Sequence, residues 1–142
     1  MKDAAELAAG WEALGRVPCV LEKRLDLADE ISVIVARAAD GSIVHLPVQH
    51  NLHRGGILAV SQVPAAGIDM VKQLKAIDAA RRIAESMEYV GVLCVEFFVL
   101  RDGATVANEM AHRPHNSGHY SIDACDVSQF DLQVRTLTGA PL

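Results

Sequence analysis

The sequence predicts an α+β domain built on an antiparallel-rich sheet. Two Asp-Gly pairs, Asp40-Gly41 and Asp102-Gly103, each separate two apolar, β-branched runs, which is a strong short-range hairpin signal. Two other stretches, 68–87 and 127–138, repeat apolar residues at helical spacing. The strands therefore come in adjacent pairs with helices between the pairs, not in the strict strand-helix alternation of a parallel fold.

Each element follows from its own residues. "DAAELAAGWEAL" (3–14) predicts a helix despite Gly10. "VPCVLEKRL" (17–25) reads as a strand running into polar ground, and "DLAD" as a turn. "EISVIVARAA" (30–39) is a β-branched strand, and "SIVHLPVQ" (42–49) returns beside it after Asp40-Gly41. "HNLHRGG" (50–56) reads as a loop. Val71, Leu74, Ile77, Ala80, Ile83 and Met87 mark the apolar stripe of the first long helix. "VGVLCVEFFVL" (90–100) has few polar breaks, so it predicts a strand buried on both faces. "ATVANEM" (104–110) returns from the second Asp-Gly turn. A histidine-rich loop follows, and the helix over 127–138 stops before Gly139, a good C-terminal cap.

Bulk properties narrow the function. The chain has 142 residues, enough for one domain or part of one, and 51% of them are hydrophobic, so a real core is expected. Aromatic residues make up only 4%, which leaves packing to aliphatic side chains and alanine. The net charge of −5 argues against nonspecific binding to nucleic acid, which needs a basic face. Cys19, Cys94 and Cys125 are widely separated and form no Cys-x-x-Cys motif, the pattern of reduced thiols in the cytoplasm. Met1 is followed by a polar, acidic segment unlike a signal peptide, and no apolar run reaches the roughly 18 residues of a membrane span. The chain begins in a helix and ends at "TGAPL" without a terminal element, so a partial domain is expected.

The chemistry concentrates around "VEFF" and "NEMAHRPHNSGH". If Asp102 and Gly103 are the central residues of a two-residue turn, Glu96 lies directly opposite Glu109, with Cβ atoms about 5 Å apart on one face. Two like charges there need a shared proton, a basic neighbour or a divalent cation. A hard ion such as Mg²⁺ suits them, since it takes oxygen ligands and keeps water and phosphate for the rest. Beyond Glu109, Pro114 blocks a regular helix. Arg113 offers a forked donor for phosphate or carboxylate, and His115, Asn116 and His119 add further donors. The pairing of an acidic metal floor with an anion-binding loop is what phosphoryl chemistry requires. A competing reading makes His112, His115 and His119 zinc ligands on a helix, but Pro114 lies between them.

"EKRLDLADEISVIVAR", "NLHRGGIL", "VGVLCVEFF" and "NEMAHRPHNSGH" together resemble the ATP-grasp family of 5-(carboxyamino)imidazole ribonucleotide synthases, from about Val20 to Leu142. The run "RPHNSGH" is the specific part; the acid pair alone indicates only the superfamily. The resemblance implies the central and C-terminal part of an ATP-grasp fold over 1–142, without the N-terminal Rossmann-like domain, most of the lid, or the small C-terminal domain. It implies ATP and Mg²⁺ as cofactors, and 5-aminoimidazole ribonucleotide and bicarbonate as the other substrates. A homodimer of the full-length family and a place in purine biosynthesis follow from the same resemblance. Glu22, Lys23, Arg24 and Leu25 match the hinge that holds adenine, and Glu30 the acid on the ribose hydroxyls. His53 matches a nucleotide-contacting histidine, with Arg54 beside it. Glu96 and Glu109 match the Mg²⁺ ligands, with Asn108 adjacent. Arg113, His115 and Asn116 match the substrate and carboxyphosphate loop, while His119 supports it. The family commonly has proline at His112. Two alternatives stay open: a binding-only or inactive fragment, and a different ATP-grasp carboxylase or ligase.

Overall fold

The structure is a computed structural model and describes residues 3–142. It contains one antiparallel sheet in the order β4-β3-β1-β5-β6. These strands are β1 (Leu27–Arg37), β3 (Gln49–Arg54), β4 (Ile57–Gln62), β5 (Gly91–Leu100) and β6 (Thr105–Ala111). The short β2 (Ile43–His45) pairs with the far end of β1, on the same edge as β3. Helix α1 (Ala4–Ala13) precedes the sheet, and α2 (Met70–Ser86) connects β4 to β5. A 3₁₀ turn (Asn116–Gly118), α3 (Ser121–Ala124) and α4 (Gln129–Thr138) follow β6.

The two-residue period of the central strands divides the molecule into layers. Ile31, Val33 and Val35 of β1 and Leu93, Val95, Phe97 and Val99 of β5 face α2, where they meet Ala76, Ala80 and Ala84. Small alanines at fourfold spacing let the helix lie close on the sheet. Residues between them point the other way and change character along the strand. Ile34, Ala36, Val92 and Cys94 pack against Leu132 of α4. The alternate positions toward the other end are Glu30, Ser32, Glu96 and Phe98. One half of this face is core, and the other half is the floor of a cleft. The first half of β5 is buried on both faces as its sequence predicts, and its second half alternates between buried and half-buried.

Helix α4 begins with a full capping box, in which Ser128 and Asp131 each satisfy the other's backbone N–H. It ends at Gly139 with φ of 70°, the expected left-handed cap.

Four expectations are corrected, the first being "DLAD" (26–29), which is no turn because β1 already begins at Leu27. Residues 17–25 form no strand: all but the half-buried Leu25 are exposed, with no neighbouring edge to accept their backbone hydrogen bonds. "HNLHRGG" is not a loop but part of the β3–β4 hairpin, in which Arg54 pairs with Ile57. Gly55 and Gly56, with φ of 59° and 78°, form its two-residue type I′ turn. Both Asp-Gly turns are three-residue loops. In each, the aspartate side chain accepts the N–H two residues on, Asp40 from Ser42 and Asp102 from Ala104. The glycine after it takes a positive φ, 86° at Gly41 and 91° at Gly103.

Candidate active site

The three-residue loop shifts the β5–β6 register by one residue from the two-residue expectation, pairing Phe97 with Ala107. A bulge then intervenes, and Val95 pairs with Met110. Glu96 consequently stands opposite both Asn108 and Glu109, which share the cleft face because the bulge inserts one residue. The juxtaposition of Glu96 with Glu109 therefore holds, but by a different route from a two-residue turn.

These residues line a cleft of about 380 Å³ together with Glu30, His53, His115 and Asn116. Leu27, Gly56, Leu58 and Phe98 complete its wall. A second hollow is lined by Lys23, Arg24, Leu25 and Asp26, and shares Leu27 and Phe98 with the first. The structure thus joins most of the residues singled out in the sequence into one continuous depression. Two stand apart. Glu22 is exposed and lines neither hollow. The exposed Arg113 donates to the carbonyl of Pro114, and its charge reaches the cleft only by depressing the basicity of His115.

The electrostatics are those of an acid-rich cleft. Among the described residues no lysine or arginine lines it, whereas three glutamates do. Burial, and then the charge of Glu109, raise the Glu96 carboxyl above its ordinary value. His53, and then Asn108, partly offset this. His115 Nε2 lies 3.3 Å from Glu96 Oε1. Burial, and then Arg113, lower the pKa of that histidine. Its Nδ1 accepts the Ser117 N–H, so in the neutral ring the proton sits on Nε2, facing Glu96. His53 Nδ1 is 2.9 Å from Glu30 Oε2 but is not aligned for a hydrogen bond.

The donor set fits Mg²⁺. Glu96, Glu109 and the Asn108 amide offer only hard oxygen ligands, next to an excess of negative charge without a fixed cation. Among the described residues no three His, Cys, Asp or Glu side chains converge as a metal cluster, so the three-histidine zinc arrangement does not form. His119 instead stacks on Phe130, ring centroids 6.0 Å apart.

Several cleft residues have sequence signals that were not used. Phe98 follows Glu96 by two and must share its face. Gly56 and Leu58 belong to a hairpin that Gly55-Gly56 announces. Ser32, Ser117 and Gln129, which support the site from below, carry no such signal.

A cleft of this kind on an antiparallel sheet, with a second hollow beside it, agrees with an ATP-grasp domain. The ATP-grasp domain family matches residues 1–130, and the chain belongs to that family. Within it, the chain is 41% identical over 140 residues to N5-carboxyaminoimidazole ribonucleotide synthase of Brucella melitensis, covering 99% of this chain and 38% of that protein. A crystal structure of N5-carboxyaminoimidazole ribonucleotide synthetase with ADP superposes with a TM-score of 0.92 at 40% identity, covering 100% of this chain and 37% of that one. The Aspergillus clavatus synthase, in complex with ADP and 5-aminoimidazole ribonucleotide, gives 0.90 at 31% identity over 99% of this chain and 37% of its own. The chain spans less than two-fifths of the length of these relatives.

Proposed function

We propose that these 142 residues form the nucleotide hinge, metal floor and substrate loop of an ATP-dependent carboxylase acting on 5-aminoimidazole ribonucleotide with bicarbonate. On this reading they are part of an ATP-grasp domain in a cytoplasmic, homodimeric enzyme of purine biosynthesis. One observation carries the proposal: Glu30, His53, Glu96, Asn108, Glu109, His115 and Asn116 converge on a cleft that runs into the Lys23–Leu25 hollow.

Backbone groups of residues 23–25 hold adenine in the hinge hollow, with Leu27 and Phe98 offering it an apolar wall. Glu30 accepts the two ribose hydroxyls, a task for which a carboxylate has the lone pairs. His53 stands behind Glu30 and faces the nucleotide. Glu96 and Glu109, with Asn108, would hold Mg²⁺, which when bound would supply positive charge to offset that developing during phosphoryl transfer. Bicarbonate attacks the γ-phosphate, giving carboxyphosphate and ADP. The exocyclic amine of the ribonucleotide then takes up the carboxyl carbon and releases phosphate. His115 presents its Nε2 proton toward this region and Asn116 supplies a donor for the anionic intermediate, to which Arg113 adds only by leaving the Pro114 carbonyl. No covalent enzyme intermediate is involved. Cys94 is buried with its thiol pushed up to about 12, far from thiolate reactivity.

The same cleft favours binding over turnover in this chain. Phosphoryl transfer needs charge stabilisation from several sides, and among the described residues no lysine or arginine lines the metal floor. Calorimetry with ADP, with and without Mg²⁺, tests the reading. Mg²⁺-dependent binding is expected, weakened tenfold or more by Glu109→Gln. Phosphate release from ATP with bicarbonate and ribonucleotide is expected to stay at background. ADP binding indifferent to both Mg²⁺ and Glu109→Gln would defeat the assignment, and robust turnover would show the chain to be self-sufficient.

A further inference from the structure

Gln129, the first residue of α4, is fully buried, yet it is polar and belongs to neither hollow. Its side chain spends both functional ends on the backbone of one residue. Oε1 accepts the His115 N–H at 2.9 Å, and Nε2 donates to the His115 carbonyl at 2.8 Å. This is the double hydrogen bond that a neighbouring strand would give, supplied by a side chain 14 residues away. Gln129 is itself held, since its N–H donates to Ser121 Oγ at 3.0 Å and Ser121 in turn donates to the Gly118 carbonyl. The space it occupies exists because residue 118 is glycine: a Cβ there would lie 2.5 Å from Gln129 Oε1.

A second set of contacts fixes the ring. Ser117, fully buried, places its N–H 3.3 Å and its Oγ 3.0 Å from His115 Nδ1. Ser32 of β1 anchors Ser117 at 2.9 Å, and Asn51 donates to Ser32 at 2.8 Å. The backbone of His115 is thus gripped from α4 and its ring from the sheet, which leaves Nε2 only one direction to face, toward Glu96.

We propose that Gln129 is a positioning residue: by clamping the His115 peptide it holds the imidazole against Glu96 and sets the conformation of the Arg113–Asn116 loop. This rests on the reading of that loop as substrate-facing, but the clamp can be tested without ligand. A buried glutamine with a purely structural role would support the whole sheet. A positioning glutamine supports this loop selectively.

The test is amide hydrogen exchange together with ¹⁵N ring shifts of His115 in the 142-residue chain. Gln129→Met keeps the volume and removes both hydrogen bonds. The His115 amide is expected to exchange on the order of tenfold faster or more, and its ring to lose a single defined tautomer, while β1 and β5 amides keep their protection. Gln129→Glu is expected to rescue both readouts, because a carboxyl buried there stays protonated and can both donate and accept. Unchanged exchange at His115, or an equal loss throughout the sheet, overturns the proposal. If Gln129→Met does not fold, Gln129→Glu decides alone: His115 protection retained supports the clamp, and its loss from an intact sheet refutes it. Mg²⁺-ADP binding by the unsubstituted chain reports separately on the functional reading, so the two can fail independently.

Discussion

Replacing Gly118 by alanine tests how tightly the loop and the core are locked together. A Cβ at this position would stand 2.3 Å from Ile34 Cδ1, 2.5 Å from Gln129 Oε1 and 2.7 Å from Gln129 Cδ. Both neighbours are fully buried, so neither has free space to enter. The backbone of Gly118 is not in the left-handed region, so the cost is steric rather than conformational. Ile34 must rotate its terminal methyl into filled core, an overpacking that costs about 1–3 kcal/mol. Gln129 must leave the His115 N–H, and a buried donor left unpaired costs about 1–3 kcal/mol more. Together these place Gly118→Ala roughly 2–6 kcal/mol below the parent, or roughly 5–20 °C in Tm for a chain of this size. Urea and thermal unfolding measure it, with an unchanged m-value showing that the denatured state is unaltered. A double-mutant cycle with Gln129→Ala isolates the clash, since the shortened side chain vacates the space. The second substitution is then expected to cost less, by about 1 kcal/mol or more. A penalty under about 0.5 kcal/mol, or strict additivity, would refute the reasoning.

Other expectations follow from the same geometry. Because burial and Glu109 raise the Glu96 carboxyl above its ordinary value of 4.5, the native state holds that proton longer than the unfolded chain. Stability from this group is therefore greatest below the ordinary value and falls as pH rises through the raised one. Glu96→Gln should remove that fall, giving a chain more stable than the parent at neutral pH but without Mg²⁺-dependent ADP binding; Tm between pH 4 and 8 checks it. Ser128→Ala removes the arm of the capping box in which Ser128 Oγ accepts the Asp131 N–H, and should cost about 1 kcal/mol by urea unfolding, with Asp131→Asn costing less. A thiol reagent should modify the exposed Cys19 first and leave the buried Cys94, its thiol pushed up to about 12, untouched until the chain unfolds. Mass spectrometry of partly labelled protein distinguishes the two.

Much of this was legible in the residues themselves. The strand at 30–39, the long helix before residue 90 and the capped helix before Gly139 are local patterns, and each lies within two or three residues of where its periodicity placed it. The resemblance carried by "RPHNSGH" also pointed to the right family, because its histidines, arginine and asparagine are specific to one kind of loop. Residues 17–25 misled for a physical reason: β-branched residues make a strand only where another edge can pair with it, and pairing is not a property of the segment.

What only the tertiary structure decided is where chains far apart in sequence come to meet. Asp102 captures the Ala104 N–H and turns an expected two-residue turn into a three-residue loop, and the bulge at Asn108 and Glu109 restores the acid opposite Glu96. Nothing local announces that bulge, since it depends on which partner residues on β5 are inward. Gln129 shows the same limit. By sequence it is an ordinary N-terminal helical residue behind a good cap, and its role exists only because α4 docks on the half of the sheet face that Ile34 and Cys94 make apolar. Hydrophobic period and capping chemistry act within a few residues and are written in order along the chain. The clamp on His115 acts across 14 residues and through packing, so it becomes visible only when the sheet and the helix are in place.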